Sequence, residues 1–185
     1  KILSSEKYYE SGTAFKGTVS HTDAHYNFLN GVDGKDVAML VDGSWWENEA
    51  NASFSLLHKD KKTCRFAIMP MPKTDKSHLG TATYIEQQNT MAFIKGNIDE
   101  EKIDIAKKFF KFCYSEKALQ RFTTLTNASI ALKYSLSDDQ YSSLTYFGKS
   151  VWNIHIGKTG KVVYESSNCR TFYSNSSTLK YVATL

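Results

Sequence analysis

Five consecutive apolar residues, Val37-Ala-Met-Leu-Val41, run directly into Asp42-Gly43, and the chain continues Ser44-Trp45-Trp46-Glu47-Asn48-Glu49. A short apolar run closed by a turn dipeptide reads as a buried strand with its carboxyl end at the turn. In open α/β sheets that end is where ligands settle. The block therefore predicts a sheet-containing fold in which two aromatic faces and nearby carboxylates reach a ligand-facing rim.

The neighbouring segments extend this pattern. Thr22–Asn30 is expected to be a short helix, with Thr22 as N-cap, Asp23 in the first turn and Asn30-Gly31 as the stop. Residues 47–62 turn polar and read as surface helix or loop. Phe66–Met69 is a second strand candidate, cut by Pro70 and Pro72, the only two prolines, which hold the following segment extended. Met91–Ile94 is a third, ended by Gly96-Asn97. Acids at Asp99, Glu100 and Glu101 open a helix expected to run to Tyr114, with Ile103, Ala106, Phe109, Phe110 and Cys113 at helical spacing. Ser115-Glu116 restarts a second helix to Thr126, with Ala118, Leu119, Phe122 and Leu125 on its apolar face. Phe109, Phe110 and Leu119 are expected to point inward, and Cys113 to be a small buried hydrophobe. Beyond Asn127 periodicity fades, and Trp152, Tyr164, Phe172 and Tyr173 lie scattered in polar sequence.

Composition excludes several kinds of chemistry. The net charge of +4 is modest and spread out, with Lys59–Lys62 and Lys107-Lys108 as its densest spots. Neither is interleaved with a nucleic-acid motif, so both read as solvated faces. Three cysteines at unrelated spacings argue against a disulfide framework or a zinc knuckle. His21 and His25 at i and i+4 beside Asp23 suggest a metal pair, but no third ligand follows at motif spacing. Gly12–Gly17 has the spacing of a phosphate loop but lacks its lysine, and no nucleophile elbow occurs. The Asn-x-Ser sequons at Asn51, Asn127 and Asn175 are most simply chance in a chain rich in both residues. Glu47 and Glu49, two apart, do not make the ~5–9 Å cleft pair of a glycosidase. Sugar binding without catalysis asks for less: an aromatic face against the sugar's C–H surface, and carboxylate or amide groups for its hydroxyls. Ser44, Trp45, Trp46, Glu47 and Asn48 supply this set. Trp45 is expected to present its ring to solvent or a cleft, and Trp46 reads equally well as core.

Taken in order, Gly34-Lys35-Asp36-Val37-Ala38-Met39, the Gly43-Ser44-Trp45 turn, Phe66–Pro72, Asn89–Ile94 and the helix Ala106–Phe112 followed by Ser115-Glu116 resemble the C-terminal part of the extracellular solute-binding proteins of sugar-importing ABC transporters, the maltose-binding-protein-like family. The resemblance covers residues 20–135 and the tail only loosely. Where that family often ends the second helix with glycine and proline, this chain has Thr126-Asn127-Ala128-Ser129, and Asn can fill a left-handed cap. The resemblance implies a two-lobed α/β fold of the type II periplasmic-binding-protein class, with residues 1–65 and 129–185 in one lobe and the hinge strand and helix pair of residues 66–128 in the other. It implies non-covalent capture of a carbohydrate, with Trp45 as the stacking ring, and delivery to ABC permease subunits, with no cofactor, metal or nucleic acid. It implies an extracellular or periplasmic location, lipid-anchored in the full-length protein. Relatives are longer, so the chain reads as a fragment whose export signal lies upstream of Lys1 and which binds sugar weakly by itself. The alternatives are a peptide or polyamine binder, a carbohydrate-active enzyme fragment and a surface adhesion module.

Overall fold

The structure, a computed structural model, describes residues 20–69, 83–88, 97–159 and 161–166. By internal contacts the chain forms two units, Lys1–Arg65 and Phe66–Leu185.

In the first unit, helix α1 (His21–Asn30) begins one residue before the expected start. Ser20, with an extended backbone, is the N-cap, and its hydroxyl accepts from the Asp23 amide at 3.2 Å. Gly31 ends the helix with φ 81°. The Lys59 ammonium donates to the Leu29 carbonyl, which satisfies one of the acceptors that a helix end leaves open. After the turn Val32–Lys35 the chain continues without regular secondary structure to the short helices α2 (Trp46–Glu49) and α3 (Asn51–Leu56). Leu29, Trp46, Ala50 and Phe54 form the unit's apolar core. Residues 47–62 are thus not a plain surface segment, because Glu47, Ala50, Ser53 and Phe54 point inward.

The second unit holds the parallel strand pair β1 (Thr83–Gln88) and β2 (Lys161–Ser166), in register from Thr83 opposite Lys161 to Gln88 opposite Ser166. Parallel strands require a long crossover, and here α4 (Glu100–Cys113), α5 (Glu116–Thr126), α6 (Asp138–Ser143) and α7 (Tyr146–His155) lie between them in sequence. Ser115 caps α5, and Asn127 closes it in the left-handed conformation (φ 56°, ψ 14°), which its polar side chain suits. The Asn127 side chain also reaches the start of α7, where its Oδ1 accepts from the Thr145 amide at 2.9 Å. A Cβ on Gly148 would come within 2.6 Å of that same oxygen, so the start of α7 can approach this corner only as glycine. Ser137 and Gln140 form a reciprocal capping box on α6, and Thr145 caps α7 through the Gly148 amide at 3.0 Å. The core gathers Leu119, Ala128, Ala131, Leu144, Phe147, Val151, Trp152 and Ile154.

This architecture corrects the two-lobed α/β expectation. Helices dominate the described residues, and the described strands form one two-stranded pair rather than the layered sheet of a type II binding-protein fold. Val37–Val41 is not a strand, with Met39 and Val41 exposed, and neither is Phe66–Met69. An apolar run becomes a buried strand only when neighbouring edges accept its hydrogen bonds and another layer covers its faces. Among the described residues neither is provided. Met91–Ile94 lies outside the described residues, as do Pro70, Pro72, Phe172 and Tyr173, and Tyr164 is described only as part of β2.

The helix pair falls where expected, but its inward face is narrower. Leu119 is buried, whereas α4 buries no residue: Phe110 and Cys113 are half-buried, and Phe109 is 60% exposed. Phe122 and Leu125 are also exposed. Helical periodicity marks an apolar stripe, but whether a partner covers it is a tertiary matter. Phe109→Ala is therefore expected to cost less than about 1 kcal/mol in urea unfolding, far from the roughly 3–5 kcal/mol of a buried phenylalanine. A loss in that larger range would show that the ring is enclosed.

Candidate functional site

Three pieces of the first unit converge on one cluster: α1 through His25, the Asp42-Gly43 turn, and the Trp45–Glu49 segment that opens α2. His25 is 1% exposed and lies on the inner side of α1. Its Nε2 is 2.7 Å from Asp42 Oδ2. A carboxylate can only accept, so Nε2–H is the donor. The other Asp42 oxygen, Oδ1, accepts from the Gly43 amide at 2.6 Å. One carboxylate thus ties the buried helix to the turn.

The two tryptophans divide between surface and interior. Trp45 is 56% exposed. Its ring lies over the Gly43 backbone, since a Cβ there would come within 2.4–2.6 Å of the indole. Only glycine leaves that approach open. Trp46 is 3% exposed and packs edge-to-face on Phe28 at 5.4 Å and against Phe54 at 5.7 Å and His25 at 6.5 Å between ring centroids. It belongs to the core. Ser44 and Asn48 are half-buried, and Glu47 is buried. Lys61 lies in the electrostatic field of Glu47, with its ammonium 5.5 Å from the Phe54 ring centroid. Burial holds the Lys61 pKa below its ordinary value, and the Glu47 charge acts in the opposite direction.

Of the residues singled out from sequence, Trp45 therefore sits at the surface, Ser44 and Asn48 are half-buried, and Trp46 and Glu47 face inward. The reading from sequence paired His25 with His21 and Asp23. The two histidine rings do meet, at 5.7 Å and 76°, but the hydrogen bond of His25 goes to Asp42, 17 residues away. The available signal was Asp42-Gly43 itself, because Asp before Gly commonly holds a turn with its carboxylate.

His25, Asp42 and Glu49 each place a donor atom within 4.8 Å of the other two, and imidazole with carboxylates is a set that divalent metals accept. Donors sharing one ion at bond lengths near 2.0–2.2 Å stand about 3 Å apart or more. The His25–Asp42 separation of 2.7 Å is that of a hydrogen bond, so the trio is a hydrogen-bonded pair with an exposed carboxylate beside it. Burial, acting first, raises the Cys64 thiol pKa above its ordinary value, which favours the thiol over the more nucleophilic thiolate. No described helix is long and apolar enough to cross a membrane. Comparison with protein-family models, with curated protein sequences and with solved structures found no match.

Proposed function

We propose that this chain captures a carbohydrate without covalent chemistry, as the solute-binding component of an ABC importer that hands the sugar to membrane permease subunits outside the cytoplasm. The observation that carries the reading is the exposed indole of Trp45, presented just after the Asp42-Gly43 turn, with the exposed Glu49 at the end of the same short helix α2 that Trp45 caps. An indole face covers the apolar C–H side of a pyranose, and carboxylates accept from its hydroxyls. The order of the segments from Gly34 to Glu116 that resemble the sugar-type solute-binding proteins supports the importer context. Two features favour binding over hydrolysis: Glu47 is buried rather than poised at a cleft, and Asp42 already accepts from His25 and Gly43. A hydrolase needs one of its acids free to give a proton to the leaving group.

Tryptophan fluorescence titration with maltooligosaccharides, carried into the millimolar range, tests the reading. Trp45→Ala is expected to weaken binding at least about tenfold, the equivalent of one lost stacking contact, with an unchanged thermal midpoint. Equal affinity in the variant, or no binding by the parent chain to any sugar of the panel, sinks it.

A further inference from the structure

We propose that His25 is a positioning residue for Trp45: from inside α1 it holds Asp42, and through Asp42 the Gly43 amide, in the pose that lays the indole over the Gly43 backbone. The proposal rests on the reading of Trp45 as the sugar-facing ring.

Three observations lead to it. First, the linkage is continuous: His25 Nε2 to Asp42 Oδ2 at 2.7 Å, Asp42 Oδ1 to the Gly43 amide at 2.6 Å, and Gly43 in contact range of the Trp45 ring. The downstream side is held too, since the Gly43 carbonyl accepts from the Trp46 amide at 3.1 Å and the Trp45 carbonyl accepts from the Asn48 amide at 3.0 Å. Second, His25 is itself immobilised, buried against the edge of Trp46 at 6.5 Å and 83°. A rotamer locked by packing makes a fixed anchor for its hydrogen-bond partner. Third, among the described residues the buried Nδ1 has no hydrogen-bond partner. An imidazole placed only to fill space would be outdone by an apolar side chain, because burying an unsatisfied polar nitrogen costs stability. The bond from this ring to Asp42 offsets that cost and shows what the imidazole is there to hold.

The mechanism is preorganisation. A ring held in its binding pose before the sugar arrives loses less freedom on binding than one that must be ordered by the ligand. Asp42 and Glu49 are the charged groups that share the cluster with His25, His21 faces its ring from the preceding turn of α1, and Trp46 closes the remaining side.

The test compares His25→Leu, which removes the donor, with His25→Gln, whose amide nitrogen reaches about as far as Nε2. Gly43 amide exchange and acrylamide quenching of Trp45 are read in the sugar-free chain, with the contribution of Trp45 taken as the difference from Trp45→Phe. Maltooligosaccharide affinity and the thermal midpoint are measured alongside. His25→Leu is expected to speed Gly43 exchange and weaken sugar binding about tenfold each, and His25→Gln to restore both. A folded His25→Leu with unchanged Gly43 exchange and Trp45 quenching overturns the proposal. So does equal loss in both variants, which a merely structural role would produce. Should His25→Leu fail to fold, the imidazole 15N spectrum of the unmutated chain decides: a proton on Nε2 supports the linkage and a bare Nε2 overturns it. Absence of sugar binding by the unmutated chain ends the carbohydrate reading alone, since Gly43 exchange and Trp45 quenching still judge the positioning.

Discussion

Truncating Trp152 to alanine is expected to remove about 3–5 kcal/mol from the stability of the helical unit, the cost of deleting a large buried aromatic side chain. Trp152 is buried in α7, where it stacks on His155 at 4.7 Å between ring centroids with 27° between planes and meets Tyr134 edge-on at 5.1 Å. Removing it would also loosen Tyr134, whose hydroxyl is shared with Thr123 at 2.6 Å and accepts from the Ile130 amide at 3.3 Å. Trp152 thus supports the segment that joins α5 to α6 as well as its own helix. Hydrogen exchange of the α5 and α7 amides reports this unit directly, without assuming that the whole chain unfolds in one step. A loss below about 1 kcal/mol would mean that the ring is not enclosed.

The second expected result is a contrast between neighbours. Trp46→Ala should destabilise the first unit by about 3–5 kcal/mol, whereas Trp45→Ala should change stability by no more than about 0.5 kcal/mol. The residues share chemistry and differ by one position. Trp46 fills the space between Phe28, Phe54 and His25, while Trp45 leaves most of its ring in solvent. Urea unfolding followed by hydrogen exchange of the α1 amides separates them. Equal effects, or a larger one at Trp45, would reverse the assignment of core and surface. Trp46→Ala also removes the wall against which His25 rests, so it should disturb Gly43 exchange, which Trp45→Ala leaves intact.

Local signals carried well wherever the physics is local. Asn30-Gly31 ends α1, acids open α4, Ser115 caps α5 and Asn127 takes the left-handed cap, because a cap is settled by a few side chains and the nearest amides. The displaced N-cap of α1 belongs to the same class: Ser20 and Thr22 are both competent, and their hydroxyls lie 2.9 Å apart. The capping box at Ser137 and Gln140 and the Thr145 cap were equally legible, yet α6 and α7 went unrecognised in sequence where apolar periodicity fades. The apolar runs Val37–Val41 and Phe66–Met69 misled for a different reason. Their composition suits a strand, but a strand is made by its neighbours.

By itself, then, the sequence determined the stop of α1 at Gly31, the Ser115 and Asn127 caps and the helix pair, since each depends on residues within a few positions of one another. Only the tertiary structure decided that Trp46 and Glu47 turn inward while Trp45 turns out, that Phe109 stays exposed, and that His25 finds Asp42. Those outcomes depend on which faces meet after the chain has folded back on itself. Burial and long-range hydrogen bonds follow from that meeting and have no counterpart in local spacing.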